Sequence, residues 1–191
     1  MGNRIVIIHG AHYLQSKSKF GKFLIGKFYG FFNVKPSYAT KKKWLAKINA
    51  REEDVSYLEW SGNIFSEDVS QAVDDLAEEI SNGGEVVVIS SSIGTHIALQ
   101  ATRKTKKIKK IISLCGVFSY VNSDIEFIDI VSRRDSFQSF FRFLFNPFGR
   151  HLQSLKIILP GLRHDGFQKD PIIKRGYFKS KRVSDLVNEF L

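Results

Sequence analysis

Residues 85–100 constrain the fold of this chain more than any other stretch. They open with the apolar run 86–89, which is typical of a strand buried on both faces of a parallel sheet. The Ser-rich segment 90–94 follows, and residues 95–102 then carry apolar side chains at helical spacing. The sequence therefore predicts a strand, a sharp turn with a serine at its apex, and a helix.

A serine at such a turn has two plausible roles. Ser92 would project its hydroxyl from the C-terminal edge of the sheet, where the N-terminus of the next helix favours developing negative charge. Alternatively, Ser91 or Ser92 caps the helix by accepting hydrogen bonds from backbone N–H groups. Catalytic turns of this type usually have glycine two residues before the serine. This chain has Ser90 there, and Gly94 supplies the second small residue.

Apolar runs and helical patterns alternate along the whole chain. Further strands are predicted at 4–9, 55–60, 111–115, 124–131 and 155–159. Helices are predicted at 43–50, from an N-cap at Ser66 to residue 80, and at 183–191, with a basic exposed connection at 103–110. This alternation predicts an α/β three-layer sandwich with a mainly parallel six-stranded sheet. At 191 residues, we expect a single domain, 1–191.

Two aromatic segments interrupt this pattern. Residues 14–43 interleave lysine with phenylalanine and form a basic insertion; residues 136–152 are again rich in phenylalanine and form a candidate cap. Residues 14–43 could be a lid, an interface, or core packing beneath solvated lysines. The formal net charge of +10 favours anionic partners, among which an anionic membrane surface is a candidate and nucleic acid is disfavoured.

The cysteine content and the hydropathy of the sequence limit the cellular compartments in which we expect this protein. Cys115 is the single cysteine, so no intrachain disulfide can form, and its apolar neighbours predict a buried strand position. No Cys/His cluster has the spacing of a zinc site. The first residues enter a strand without the apolar segment of a signal peptide. No run reaches the roughly 18 apolar residues of a membrane span. We predict a cytoplasmic protein.

Three polar residues follow three of the candidate strands in the order Ser92, Asp135, His164. Parallel strands bring such positions to one edge of the sheet. The other motifs are His9-Gly10 after the first strand, the turn 90–94, and the run 161–166 before the terminal helix. With these motifs the chain resembles a small single-domain member of the α/β-hydrolase superfamily, close to a minimal lipase or esterase domain.

The resemblance implies a role for each of these residues. Ser92 would be the nucleophile, His164 the general base and then acid, and Asp135 the group that orients the imidazole. The backbone N–H groups of Ala11 and Ile93 would form the oxyanion hole. The implied reaction is cleavage of a small-molecule carboxylic ester or thioester through an acyl-enzyme, with no cofactor and no metal.

Several alternatives remain open at this point. His12 and Tyr13 would contact the substrate, and His9 or His12 could replace His164 as the base. Asp124 or Asp129 could replace Asp135 as the acid. A different hypothesis is that the chain is a catalytically inactive binding module with a hydrolase fold. Its basic aromatic surface would then bind anionic lipid or another polyanion. The sequence does not identify the acyl group or the oligomeric state.

Overall fold

The computed structural model describes residues 4–10, 47–60, 67–118, 124–133, 138, 155–160 and 170–191. In this part of the chain a single sheet of six strands forms, and every neighbouring pair is parallel. The strands are β1 (Arg4–Ile8), β2 (Val55–Leu58), β3 (Val86–Ser91), β4 (Ile108–Leu114), β5 (Glu126–Ser132) and β6 (Leu155–Leu159). Their order across the sheet is β2-β1-β3-β4-β5-β6. The predicted six-stranded α/β architecture is confirmed.

Helices cover both faces of this sheet. The described helices are α1 (Asp68–Ser81), α2 (Gly94–Ala101) and α3 (Val183–Glu189), with a short 3-10 turn at Glu52–Asp54. Helices α1 and α2 share one apolar cluster with the sheet, and α3 packs into a second cluster on the opposite face. The three layers that the sequence predicted are therefore present.

Side chains of the central strands alternate between the two clusters. In β1, Ile5 and Ile7 face the α3 side, while Val6 and Ile8 face α1 and α2. Burial on both faces explains why these strands read as continuous apolar runs rather than as alternating ones. Each such side chain contributes roughly 1.5–3 kcal/mol when it is fully buried.

Strand β4 starts three residues earlier than predicted. The sequence placed residues 103–110 in an exposed basic connection, whereas Ile108 is buried and already belongs to β4. The two lysines that follow lie within the strand and have acidic partners. The Nζ of Lys109 lies 3.2 Å from Glu85, and that of Lys110 lies 3.3 Å from Glu126. The long lysine stems let the charged ends reach these carboxylates from within a strand.

The other differences between the predicted and the observed structure lie at the ends of helices and strands. Residues 47–50 form turns and bends rather than the end of the predicted helix 43–50. Helix α1 begins at Asp68 with Glu67 as its N-cap, and the predicted N-cap Ser66 lies outside the described residues. Cys115 is buried as expected, but it lies one residue beyond β4. No described helix has the length and hydropathy needed to cross a membrane.

Candidate functional site

Ser92 lies at the turn between β3 and α2 and is partly exposed. Its φ angle is 50°, in the left-handed region that costs a residue with a side chain about 1–2 kcal/mol. Surrounding structure must therefore hold the conformation. Residues in such sparsely populated regions cluster at functional sites. A sharp turn from strand to helix is the backbone context of the nucleophilic serine in α/β-hydrolases.

Both backbone polar groups of Ser92 are held by residues at and beyond the end of β4. The Ser92 N–H donates to the carbonyl of Leu114 at 3.2 Å. The Ser92 carbonyl accepts from the N–H groups of Thr95 at 3.1 Å and Val117 at 2.9 Å. The left-handed turn is thus fixed from both sides, by its own helix and by the neighbouring strand.

Two glycines let the end of β1 approach this turn closely. A Cβ atom on Gly10 would lie 2.7 Å from Cβ of Ser92, and one on Gly94 would lie 2.6 Å from the carbonyl oxygen of His9. Real Cβ atoms do not approach other heavy atoms this closely, so both positions need glycine. The His9-Gly10 turn therefore lies directly against Ser92.

Ser90 fits where glycine is usual because its side chain is bonded within the protein. It is buried, and its Oγ lies 3.0 Å from Oγ1 of Thr95 in the first turn of α2. The glycine at position 116 leaves room for the hydroxyl groups beside it. A Cβ there would lie 2.2 Å from Oγ of Ser113 and 2.6 Å from Oγ1 of Thr95. The altered motif is therefore compatible with the tight turn.

His9 is built into the structure that supports the β1 turn. Its buried ring stacks between Tyr57 and Trp60, with ring centroids 5.7 and 5.5 Å away. The His9 Nδ1 lies 2.6 Å from the carbonyl oxygen of Gly10, and Trp60 Nε1 donates to the His9 carbonyl at 3.1 Å. Burial raises the pKa of the Tyr57 phenol, and the nearby charge of Glu59 adds to this. These contacts give His9 a structural role at the turn.

Neither of the two described competitors for the acid role lies beyond the C-terminal end of a strand, where the serine turn is. Asp124 is exposed and precedes β5, which places it at the opposite edge of the parallel sheet from Ser92. Asp129 lies within β5, is buried, and accepts a hydrogen bond from Oγ of Ser113 at 3.0 Å. Neither residue follows its strand in the way that Asp135 does.

Among the predicted site residues, Ser92 and Ile93 lie in the described part of the chain. Ile93 is buried and is the N-cap residue of α2. The others fall outside the described residues: Ala11, His12, Tyr13, Asp135 and His164. The same holds for residues 14–43 and for 136–152 apart from Gln138, whose Nε2 donates to the Gly116 carbonyl at 3.1 Å. Strands β5 and β6, which lead to Asp135 and His164, end at the same sheet edge as β3.

Sequence reasoning missed the residues that hold the serine turn. Thr95, Ser113, Gly116 and Val117 all contact Ser90 or Ser92, or bound the space beside them. Ser113 could have been noticed as a polar residue inside the apolar run 111–115. An unpaired hydroxyl is costly in a core, so its position there indicates a buried hydrogen-bond partner. Its partners could not be identified without the strand register.

The left-handed conformation of Ser92 leads to a stability prediction. We expect Ser92→Gly to have a free energy of unfolding about 0.5–1 kcal/mol higher than Ser92→Ala, because glycine avoids the steric cost but loses more chain entropy. Both variants lack the hydroxyl, so the comparison isolates the effect of the left-handed backbone conformation on stability. Urea unfolding followed by circular dichroism measures the difference. Equal stabilities would mean that the turn is unstrained.

His96 on α2 predicts a pH dependence of stability. Burial lowers the pKa of its imidazole from the ordinary 6.5, and the positive charge of Arg103 lowers it further. The folded state therefore binds fewer protons than the unfolded state once the pH drops below about 6.5. We expect wild type to lose stability from pH 7.5 to 5.5 more steeply than His96→Gln does. Urea unfolding at both pH values tests this, and equal losses would contradict it.

Comparison with known proteins gives a fold likeness and no sequence relationship. No protein-family model matches the chain, and no curated protein matches it. Its structure aligns with that of lipase B from Aspergillus fumigatus at a TM-score of 0.50 and 12% identity, over 87% of this chain and 49% of the lipase. The chain has an α/β-hydrolase fold. A second structure of similar fold is that of an uncharacterized protein from Bacillus cereus ATCC 10987, which aligns at a TM-score of 0.51 and 16% identity.

The chain spans only part of the length of both of these proteins. The second alignment covers 98% of this chain and 58% of the Bacillus protein, and the chain spans about half the length of the lipase. At these identities the likeness concerns the fold, because one fold supports many activities. Function must therefore be argued from the serine turn and its surroundings.

Proposed function

We propose that this α/β-hydrolase domain is a serine hydrolase that cleaves a carboxylic ester or thioester through an acyl-enzyme. The observation that carries the proposal is the left-handed backbone of Ser92, at the turn from a buried parallel strand into a helix. Gly10 lies against this residue with no space for a side chain. A helix cap would not need this strained, clamped turn, whereas a nucleophile that must project from the sheet edge does.

In the proposed mechanism, Ser92 and His164 share the proton transfers. His164 removes the Ser92 hydroxyl proton as the oxygen attacks the carbonyl carbon of the substrate. The bond to the leaving alcohol or thiol then breaks, and His164 returns the proton to that group. Water, activated in the same way, hydrolyses the acyl-enzyme and restores the serine. Asp135 holds the imidazole in the required tautomer and stabilises its charged form.

The proposed oxyanion hole joins the two turns that meet at Ser92. The N–H of Ile93 lies at the N-terminus of α2, where the helix dipole favours negative charge. The N–H of Ala11 follows Gly10, which touches Ser92. Together they would stabilise the tetrahedral oxyanion. His12 and Tyr13 would contact the substrate next to this turn.

The composition of the Phe-rich segments 14–43 and 136–152 favours a substrate with an apolar acyl group. It also favours a role at an anionic membrane surface. The phenylalanines of these segments would cover an acyl chain above the sheet edge, and the lysines of 14–43 would attract anionic headgroups. Cytoplasmic placement stays a prediction from sequence.

The experiment that tests the mechanism compares triad variants with matched controls on p-nitrophenyl esters and acyl thioesters of varied chain length. We expect His164→Ala and Asp135→Ala to lower kcat at least about a hundredfold, the usual range for general acid–base catalysis. His96→Gln and Asp124→Asn alter the same residue types away from the proposed triad and should retain wild-type kcat. A folded wild type that hydrolyses none of these substrates, yet binds anionic vesicles, would favour the inactive binding module.

A further inference from the structure

Four polar side chains form a continuous line in the core beneath the serine turn. They are Ser90, Thr95, Ser113 and Asp129, with exposed fractions of 1%, 0%, 0% and 2%. Successive oxygens along the line are 3.0, 3.2 and 3.0 Å apart. We call this set the buried relay. Such groups are costly in a core unless every one is paired, so their presence calls for a reason beyond packing.

The relay crosses three strands and reaches the helix that follows the nucleophile candidate. Ser90 is in register with Ser113 across β3 and β4, and Ser113 is in register with Asp129 across β4 and β5. Thr95 is the second residue of α2 and bonds to both serines. It therefore connects the first turn of the helix to the sheet at the point where the chain turns through Ser92.

The hydrogen bonds of the relay have a defined direction. The Ser113 hydroxyl donates its one hydrogen to the carboxylate of Asp129, so the contact between Ser113 and Thr95 requires Thr95 to donate. The Thr95 oxygen then accepts from Ser90. Each hydroxyl has one hydrogen, so the buried carboxylate orders all three. Loss of the Thr95 hydroxyl would leave Ser90 without an acceptor and Ser113 without a donor.

The relay also packs against the backbone that holds Ser92. Gly116 lies so close that a Cβ there would meet the oxygens of both Ser113 and Thr95. The next residue, Val117, donates its N–H to the Ser92 carbonyl, and so does Thr95. The side chain of Thr95 and the two backbone donors to Ser92 are thus one packed unit.

We propose that the buried relay is a positioning device for the nucleophile, with Thr95 as its central positioning residue. It fixes the first turn of α2 and the 116–117 backbone against β3, and so maintains the left-handed conformation of Ser92. Apolar side chains of similar volume would fill this space but would not impose the direction of the bonds. The kinetic consequence rests on the proposed serine-hydrolase function; the structural consequence does not.

The test uses Thr95→Val, which conserves shape and removes the hydroxyl, and Thr95→Ser, which conserves the hydroxyl. Thr102→Val is the matched control, because Thr102 is a buried threonine at the other end of α2 whose hydroxyl donates to the Leu99 carbonyl. The readout is the rate of covalent labelling by a fluorophosphonate, separated into a maximal rate and a half-saturating concentration. We expect Thr95→Val to lower the maximal rate about tenfold with the half-saturating concentration unchanged. Thr95→Ser and Thr102→Val should label at the wild-type rate.

Wild-type labelling of Thr95→Val, or equally slow labelling of Thr95→Ser, would overturn the proposal. If Thr95→Val does not fold, Ser90→Ala removes only the first donor and should slow labelling by about threefold; no change would again overturn it. If wild type itself is not labelled, the hydrolase function fails, and amide hydrogen exchange at residues 92–97 tests the relay. We expect exchange about tenfold faster in Thr95→Val than in Thr95→Ser, and equal rates would refute the relay.

Discussion

Ser92→Ala is expected to lower kcat for ester or thioester hydrolysis by about a thousandfold or more, the usual effect of removing a nucleophile. The serine hydroxyl forms the acyl-enzyme, and alanine offers no atom to carry the acyl group. The variant should fold normally, because Ser92 is partly exposed and alanine retains the backbone hydrogen bonds that hold the turn. Steady-state hydrolysis of the best substrate from the ester and thioester panel measures the loss.

The matched control is Ser91→Ala, one residue earlier in the chain. Ser91 is buried and is the last residue of β3, so its hydroxyl has no part in the proposed chemistry. We expect this variant to retain kcat. A Ser92→Ala enzyme with wild-type kcat, or a Ser91→Ala enzyme with the larger loss, would assign the nucleophile to another residue.

Gly94→Ala is expected to destabilise the protein by about 3 kcal/mol. The added Cβ would lie 2.6 Å from the His9 carbonyl oxygen and 3.0 Å from the Ile8 carbonyl oxygen. Both atoms belong to the backbone at the end of β1, so they cannot rotate away as a side chain would. Overpacking of this type costs about 1–3 kcal/mol and more where the backbone must shift.

Gly84→Ala provides the control for this stability prediction. Nothing lies within 4 Å of a Cβ at Gly84, so alanine there should be neutral or should stabilise by up to about 1 kcal/mol through the unfolded state. Urea unfolding of the two variants and wild type gives both values. A Gly94→Ala protein as stable as Gly84→Ala would show that α2 is not packed against the end of β1.

The sheet could be predicted because its central strands are buried on both faces. A continuous apolar run such as 86–89 leaves little choice of element, and the observed strands start or end within a few residues of the predicted ones. The start of β4 was missed because Lys109 and Lys110 read as solvated charges. Their carboxylate partners, Glu85 and Glu126, are brought near only by the parallel register.

The serine turn was predictable, whereas its support was not. Ser92 and Gly94 form a local pattern within three residues, and His9-Gly10 is a second local pattern. The buried relay joins residues 16 and 18 positions apart in sequence, through the pairing of β4 with β5 and the packing of α2 against the sheet. Which polar residue meets which is a property of the register, and a shift by one residue would turn each side chain to the opposite face.

The measurement that tests the central claim most directly is the intact mass of the protein after exposure to a fluorophosphonate. Wild type and Ser91→Ala should each gain the mass of one adduct, and Ser92→Ala should gain none. Peptide mapping should place the adduct on the turn between β3 and α2. An adduct that persists in Ser92→Ala, or a folded wild type that stays unmodified both alone and with detergent present, would contradict the assignment of Ser92 as an activated nucleophile.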